Sequence, residues 1–267
     1  MAKKPDNILS MADDEFDEAF ATDEKPSTPV HDDDADTIVT PDLVNKRPGM
    51  LRTRGELVLH TRSAHRLFYG RRRDDKKNQK PIIGLIRFAL NMSQICDLAA
   101  EDDPYADAVL LKVENKLEEC KSKVMQHVKE LEDLLSDTDG ISIKVYDSVE
   151  PVILPLEFKT TYGFLAARIL SQYDKLVRLA QSARHVGLFF QEDWARVVRS
   201  TGSSIRNVFF LSTSYRYTGV RRDDIAANNK VARRAIDKYG ELPPIILKGT
   251  KRARYAPAIG SRPETKH

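Results

Sequence analysis

The chain has 267 residues, enough for one large core or two small ones, and its 41% hydrophobic and 31% charged side chains are ordinary for a globular protein. No apolar run approaches the ~18 residues needed to span a bilayer, and residues 11–20 are too acidic for a secretory leader. The expectation is therefore a cytoplasmic protein with no membrane partner. The net charge of +3 conceals opposed blocks. Residues 1–40 hold 12 acidic and 3 basic side chains, residues 44–80 hold 12 basic and 3 acidic, and residues 196–267 hold 16 basic and 5 acidic. Blocks of positive charge point to nucleic acid more strongly than the overall pI does.

Residues 1–45 are acidic, poor in large apolar side chains and interrupted by Pro26, Pro29 and Pro41. Such a segment cannot bury enough surface to offset its ordering entropy, so a disordered tail is expected. Residues 56–62 alternate Leu57, Leu59 and Thr61 with Glu56, Val58, His60 and Arg62, a strand period. Residues 63–69 change to a helical period, a charged loop covers 71–80, and a second helix is expected over 81–99 with Pro81 in its first turn.

Asp103-Pro104 reads as an N-cap followed by proline at the first helical position. Beyond it, Leu110, Val113, Leu117, Cys120, Val124, Val128, Leu131 and Leu135 recur at spacings of mostly three and four. That stripe fits packing within the domain or a coiled-coil dimer seam. Strands are expected over 141–146 and 152–159, then helices over 162–184, part of 192–210, and 222–239. Cys96 and Cys120 fall on apolar faces without metal-type spacing and read as reduced core thiols.

The predicted fold class is α+β, mainly α-helical with a few short strands. One folded domain is expected over 46–255, divided into a basic strand-helix-loop-helix part (46–100) and a helical remainder (101–255). A flexible C-terminal tail over 256–267 would follow it.

No phosphate-cradling glycine loop, His-Glu-x-x-His, nucleophile elbow or Cys-x-x-Cys occurs, so neither an enzyme nor a cofactor is indicated. The carboxylates of Glu101, Asp102, Asp103 and Asp107 have two readings. They cap a helix and complement its dipole, or they hold divalent metal as in a nuclease. The basic segment 46–80 carries the functional expectation. Arg52, Arg54, His60, Arg62, Arg66, Arg71, Arg72, Arg73, Lys76 and Lys77 bracket a strand and a short helix, where guanidinium groups neutralise phosphates or pair with guanine edges. Lys159, in a second strand–helix unit, is a further candidate. Lys251 to Arg254 form another candidate phosphate contact.

Several ordered strings resemble one family: 57–70 (LVLHTRSAHRLFYG), 82–88 (IIGLIRF), 101–107 (EDDPYAD) and 156–170 (LEFKTTYGFLAARIL), with 217–224, 240–243 and 249–257. It is the family of proteins encoded by integrating conjugative elements and conjugative plasmids, and the resemblance covers about residues 50 to 259. It implies a bacterial cytosolic activator of conjugative-transfer genes that binds promoter DNA as a homodimer. It also implies a ribbon-helix-helix-like element within a larger domain, and RNA polymerase is a candidate further partner. A non-regulatory accessory protein of the conjugation machinery, a protein–protein interaction scaffold and a metal-dependent nuclease are the competing readings.

Overall fold

The computed structural model describes residues 55–72, 81–137 and 142–260. The expected acidic tail, the end of the chain past 260, and Arg52, Arg54, Arg73, Lys76 and Lys77 lie outside them. The elements in chain order are β1 (Gly55–Leu59), α1 (Arg62–Tyr69), β2 (Gly70–Arg71), β3 (Ile82–Ile83), α2 (Leu85–Ala100), α3 (Pro104–Ser136), β4 (Val152–Leu156), α4 (Thr161–His185), α5 (Gln191–Leu211), α6 (Arg222–Ala226), α7 (Lys230–Tyr239) and α8 (Pro244–Leu247). Helices dominate. The strands make two antiparallel pairs, β1 with β4 and β2 with β3, so the class is mainly helical α+β.

The 33-residue helix α3 is the axis of the fold. Asp103 caps it, Pro104 occupies its first turn, and the whole stripe from Leu110 to Leu135 is buried. It packs most extensively against α4, then against α2 and α5. The stripe is therefore used inside the domain, and the dimer-seam reading is set aside. Phe88 of α2 stacks on Phe209 of α5 at 5.0 Å, both fully buried. Large side chains of this kind contribute about 1.5–3 kcal/mol each on burial, so the helical layer rather than the short strands carries the stability.

β1 and β4 lie on this layer with Leu57, Leu59, Leu154 and Leu156 facing inward. Leu57 pairs with Leu154 and Val58 with Ile153. Because β1 pairs with β4 and α1 packs on α4, the described residues before and after residue 100 contribute to one core. Past residue 255 the chain stays attached as far as Gly260, whose N–H donates to the Ala100 carbonyl at 2.8 Å.

Four expected boundaries are corrected. Strand β1 ends at Leu59, and Arg62 opens a helix instead of closing the strand, because Thr61 caps that helix. The helix expected from Pro81 starts at Leu85, since Ile82 and Ile83 pair with Arg71 and Gly70. Here the chain crosses itself closely. A Cβ on Gly84 would sit 2.4 Å from the Gly70 nitrogen, and Gly70 has φ +75, so both positions require glycine. The strand expected over 141–146 is absent from 142–146: Ile143 and Val145 do face the core alternately, but among the described residues no strand lies beside them to pair with. The last helix is broken, because Asn228 adopts φ +47 and Asn229 starts a new helix by accepting from the Val231 and Ala232 amides.

Candidate nucleic-acid interface

Helix α1 is held at its N-terminus by two independent acceptors. The Thr61 hydroxyl oxygen accepts from the Ala64 amide at 3.2 Å, which is an ordinary N-cap. Asp174 reaches across from α4, only 2% exposed, and accepts from the His60 amide at 3.2 Å and the Thr61 amide at 2.9 Å. Arg178 lies 3.4 Å from the same carboxylate and pairs with Asp147. With its entry fixed, α1 buries Ala64, Leu67 and Phe68 and leaves Arg62, Arg66 and Tyr69 exposed. These three are spaced i, i+4, i+7, on one face of the helix. The His65 ring lies 4.9 Å from the Tyr69 ring and extends that face. Arg71 and Arg72, also exposed, continue directly from the C-terminus of α1.

Arg62 and Arg66 thus share one exposed face of α1, and Arg71 and Arg72 are exposed just past its C-terminus. The other sequence-derived candidates among the described residues fall elsewhere. His60 is turned inward: its side chain is 19% exposed, and its Nδ1 accepts from the Ser148 amide at 3.2 Å. It braces the segment at Asp147 and Ser148. Lys159 is exposed and precedes the start of α4, whereas the entry to α1 is tied to the same helix at Asp174. The outward side of the β1–β4 ribbon carries Glu56, Val58, Ile153 and Pro155, without a cation. The strand expected over residues 56–62 therefore presents neither His60 nor Arg62, since β1 ends at Leu59.

The acidic cluster proves to be a clamp. Asp103 caps α3 by accepting from the Tyr105 and Ala106 amides, and it also accepts from the Tyr215 hydroxyl. Burial outweighs these three bonds and raises its pKa. Asp107 has no exposed side-chain surface. Its carboxylate takes a bidentate contact from Arg252 at 2.9 and 2.8 Å and a third bond from Arg222 at 2.6 Å. Arg222 also pairs with Asp102 and donates to the Ile246 and Leu247 carbonyls. Burial penalises the Arg222 charge, but the bonds to Asp107 and Asp102 more than offset this and raise its pKa.

The capping reading of Asp103 therefore holds, and the carboxylates of Asp102 and Asp107 are engaged by guanidinium groups. Among the described residues no cluster is placed to hold a metal. Arg252, expected to contact phosphate, is 18% exposed and committed to Asp107. Sequence reading missed the Arg222–Asp107–Arg252 triad, although its members lie in three of the strings that carry the family resemblance.

Cys96 and Cys120 are buried free thiols, as expected. Burial pushes Cys96 up to about 12 and Cys120 up to about 11. Both stay protonated and unreactive at neutral pH. Iodoacetamide should modify neither in the folded protein and both in urea; modification of the native chain at a free-thiol rate would contradict this packing.

The family model described as transcriptional regulator AcaB matches residues 47–260. The chain belongs to this family. Its match begins in the basic segment and runs through the clamp to the last described residue, so the α1 face and the triad are both family territory. The protein therefore belongs among transcriptional regulators, which are normally without catalytic activity. Among solved structures it is similar to that of selenomethionine-containing AcaB from uropathogenic E. coli. The TM-score is 0.49 at 12% identity, covering 77% of this chain and all of that one. No curated protein sequence matches it. Among the described residues no helix is long and apolar enough to cross a membrane.

Proposed function

We propose that this chain is a DNA-binding transcriptional regulator that acts as a homodimer to activate conjugative-transfer genes, and that α1 is the element it lays against promoter DNA. The observation that carries the reading is the exposed Arg62–Arg66–Tyr69 face on a helix fixed from below by Asp174. A helix held in this way loses little further entropy on docking, and its guanidinium groups can take phosphates or guanine edges. Arg71 and Arg72 continue the surface. Arg52, Arg54, Arg73, Lys76 and Lys77 flank it in sequence and are assigned to the same contact. The finer ribbon-helix-helix arrangement is modified in this reading: α1, not the outward face of the β1–β4 ribbon, meets the duplex, because that face has no cation.

Footprinting on the regulatory regions of the element that encodes the chain tests the reading. Protection of discrete sites is expected. Arg62→Ala with Arg66→Ala should weaken binding there by about 1 kcal/mol or more for each base-edge interaction removed, while leaving thermal unfolding unchanged. Equal affinity of the double variant for those sites would remove α1 from the interface.

A further inference from the structure

A second cationic surface adjoins α1. From Ala195 to Arg222 the chain contains Arg196, Arg199, Arg206, Arg216, Arg221 and Arg222 and no carboxylate. The first three lie on α5, where with Ser200 and Ser203 they line a single shallow depression, closed at the N-terminal end by Glu192. Arg196 is 73% exposed and is paired with Asp193 at 3.1 Å, an exposed pair that is readily exchanged for another anion. Arg199 is also exposed, its Nε donating to the Ala195 carbonyl at 2.9 Å. From Arg196 to Arg206 the row is about 15 Å long.

The helix that carries the row packs against α1 and meets it at the buried Tyr173. The Tyr173 hydroxyl donates to the Val198 carbonyl of α5 at 3.1 Å. Burial pushes this hydroxyl up to about 12, while the nearby Arg206 and a hydrogen bond with Ser63 of α1 act in the other direction. The contact with α5 is tight: a Cβ on Gly202 would lie 2.9 Å from the Tyr173 oxygen and 3.5 Å from the Arg206 guanidinium. Ser63, which stands between Arg62 and Ala64, and Arg206 thus meet at one buried ring.

We infer that the α5 row is a second duplex-DNA contact, binding the sugar–phosphate backbone beside the segment met by α1. The inference rests on the DNA-binding reading of α1 and extends it. Guanidinium and hydroxyl groups in a row that has Glu192 and Asp193 only at one end fit a line of phosphates, which carry position and affinity but no sequence information. The two helices divide the work: α1 supplies discrimination and α5 supplies sequence-independent, salt-sensitive affinity.

The test uses the full chain and two duplexes of about 30 base pairs, one of random sequence and one from the element's regulatory region, with fluorescence anisotropy read between about 50 and 200 mM salt. Arg196→Gln with Arg199→Gln should lower the slope of log affinity against log salt by about 1.8 on both duplexes, roughly 0.9 for each phosphate no longer neutralised. Arg196→Lys with Arg199→Lys should keep the slope. An unchanged slope for the glutamine pair overturns the inference, as does an equal drop in the lysine pair. If Arg62→Ala with Arg66→Ala removes the preference for the regulatory duplex while the α5 pair changes nothing, the α1 reading stands and this inference falls. If neither pair changes binding to either duplex, both fall.

Discussion

Asp107→Ala is expected to lower the unfolding free energy by about 3–5 kcal/mol, the cost of stranding a buried charge. Asp107 is the carboxylate shared by Arg222 and Arg252, which are 13% and 18% exposed. Its removal takes from Arg252 the anion it grips with two bonds and leaves Arg222 with Asp102. The effect is large because of the stranded cations, not because a buried ion pair is inherently stabilising. Adding Arg252→Met to Asp107→Ala should therefore recover part of the stability. Urea unfolding checks both variants through the midpoint at constant slope. A midpoint for Asp107→Ala that corresponds to less than about 0.5 kcal/mol, the range of an ordinary surface change, would show that the triad does not hold the fold. The segment that Asp107 holds reaches Pro257, whose carbonyl accepts from Arg252 at 2.8 Å. Faster tryptic cleavage at Lys248, Lys251 and Arg254 should accompany the destabilisation.

Asp174→Ala is expected to cost about 2–4 kcal/mol, since two amide donors and a neighbouring arginine are deprived of one buried acceptor. Its effect is functional as well. His60 and Thr61 are the entry to α1, and the Asp174 carboxylate ties that entry to α4. The variant should bind regulatory DNA more weakly at temperatures where it is still folded, because the arginine face is no longer held in place. Asp174→Asn keeps one acceptor and should fall between the two. The pattern is the reverse of that for Arg62→Ala with Arg66→Ala, which should alter binding and leave stability within about 0.5 kcal/mol. A stable Asp174→Ala protein with full DNA affinity would show that α1 is positioned by its apolar face alone.

Some of these elements were legible locally. Asp103-Pro104, the 3–4 spacing from Leu110 to Leu135, and Leu57 with Leu59 each express their structure within a few residues, through a cap, a helical period or a strand period. The failures share another cause. Residues 142–146 have the alternation of a strand, but a strand also needs a neighbour to take its hydrogen bonds, and that neighbour is decided by the rest of the chain. Ile82 and Ile83 look like the start of a helix until Gly70 and Arg71 are placed beside them.

The candidate interface divides in the same way. The sequence by itself determined that positive charge concentrates in 44–80 and 196–267, that Arg62 and Arg66 share a helical face, and that the strings at 57–70, 101–107 and 249–257 belong to one family. Charge and local period are properties of the order of residues, so they needed nothing else. Only the tertiary structure decided which cations are available. It withdrew Arg222 and Arg252 into the Asp107 clamp and turned His60 inward onto Ser148. It also set Arg206 and Ser63 against the same tyrosine, although more than half the chain separates them. Whether a guanidinium group is engaged inside or offered to a partner depends on which carboxylate the fold brings within about 3 Å of it, and sequence separation carries no information about that distance.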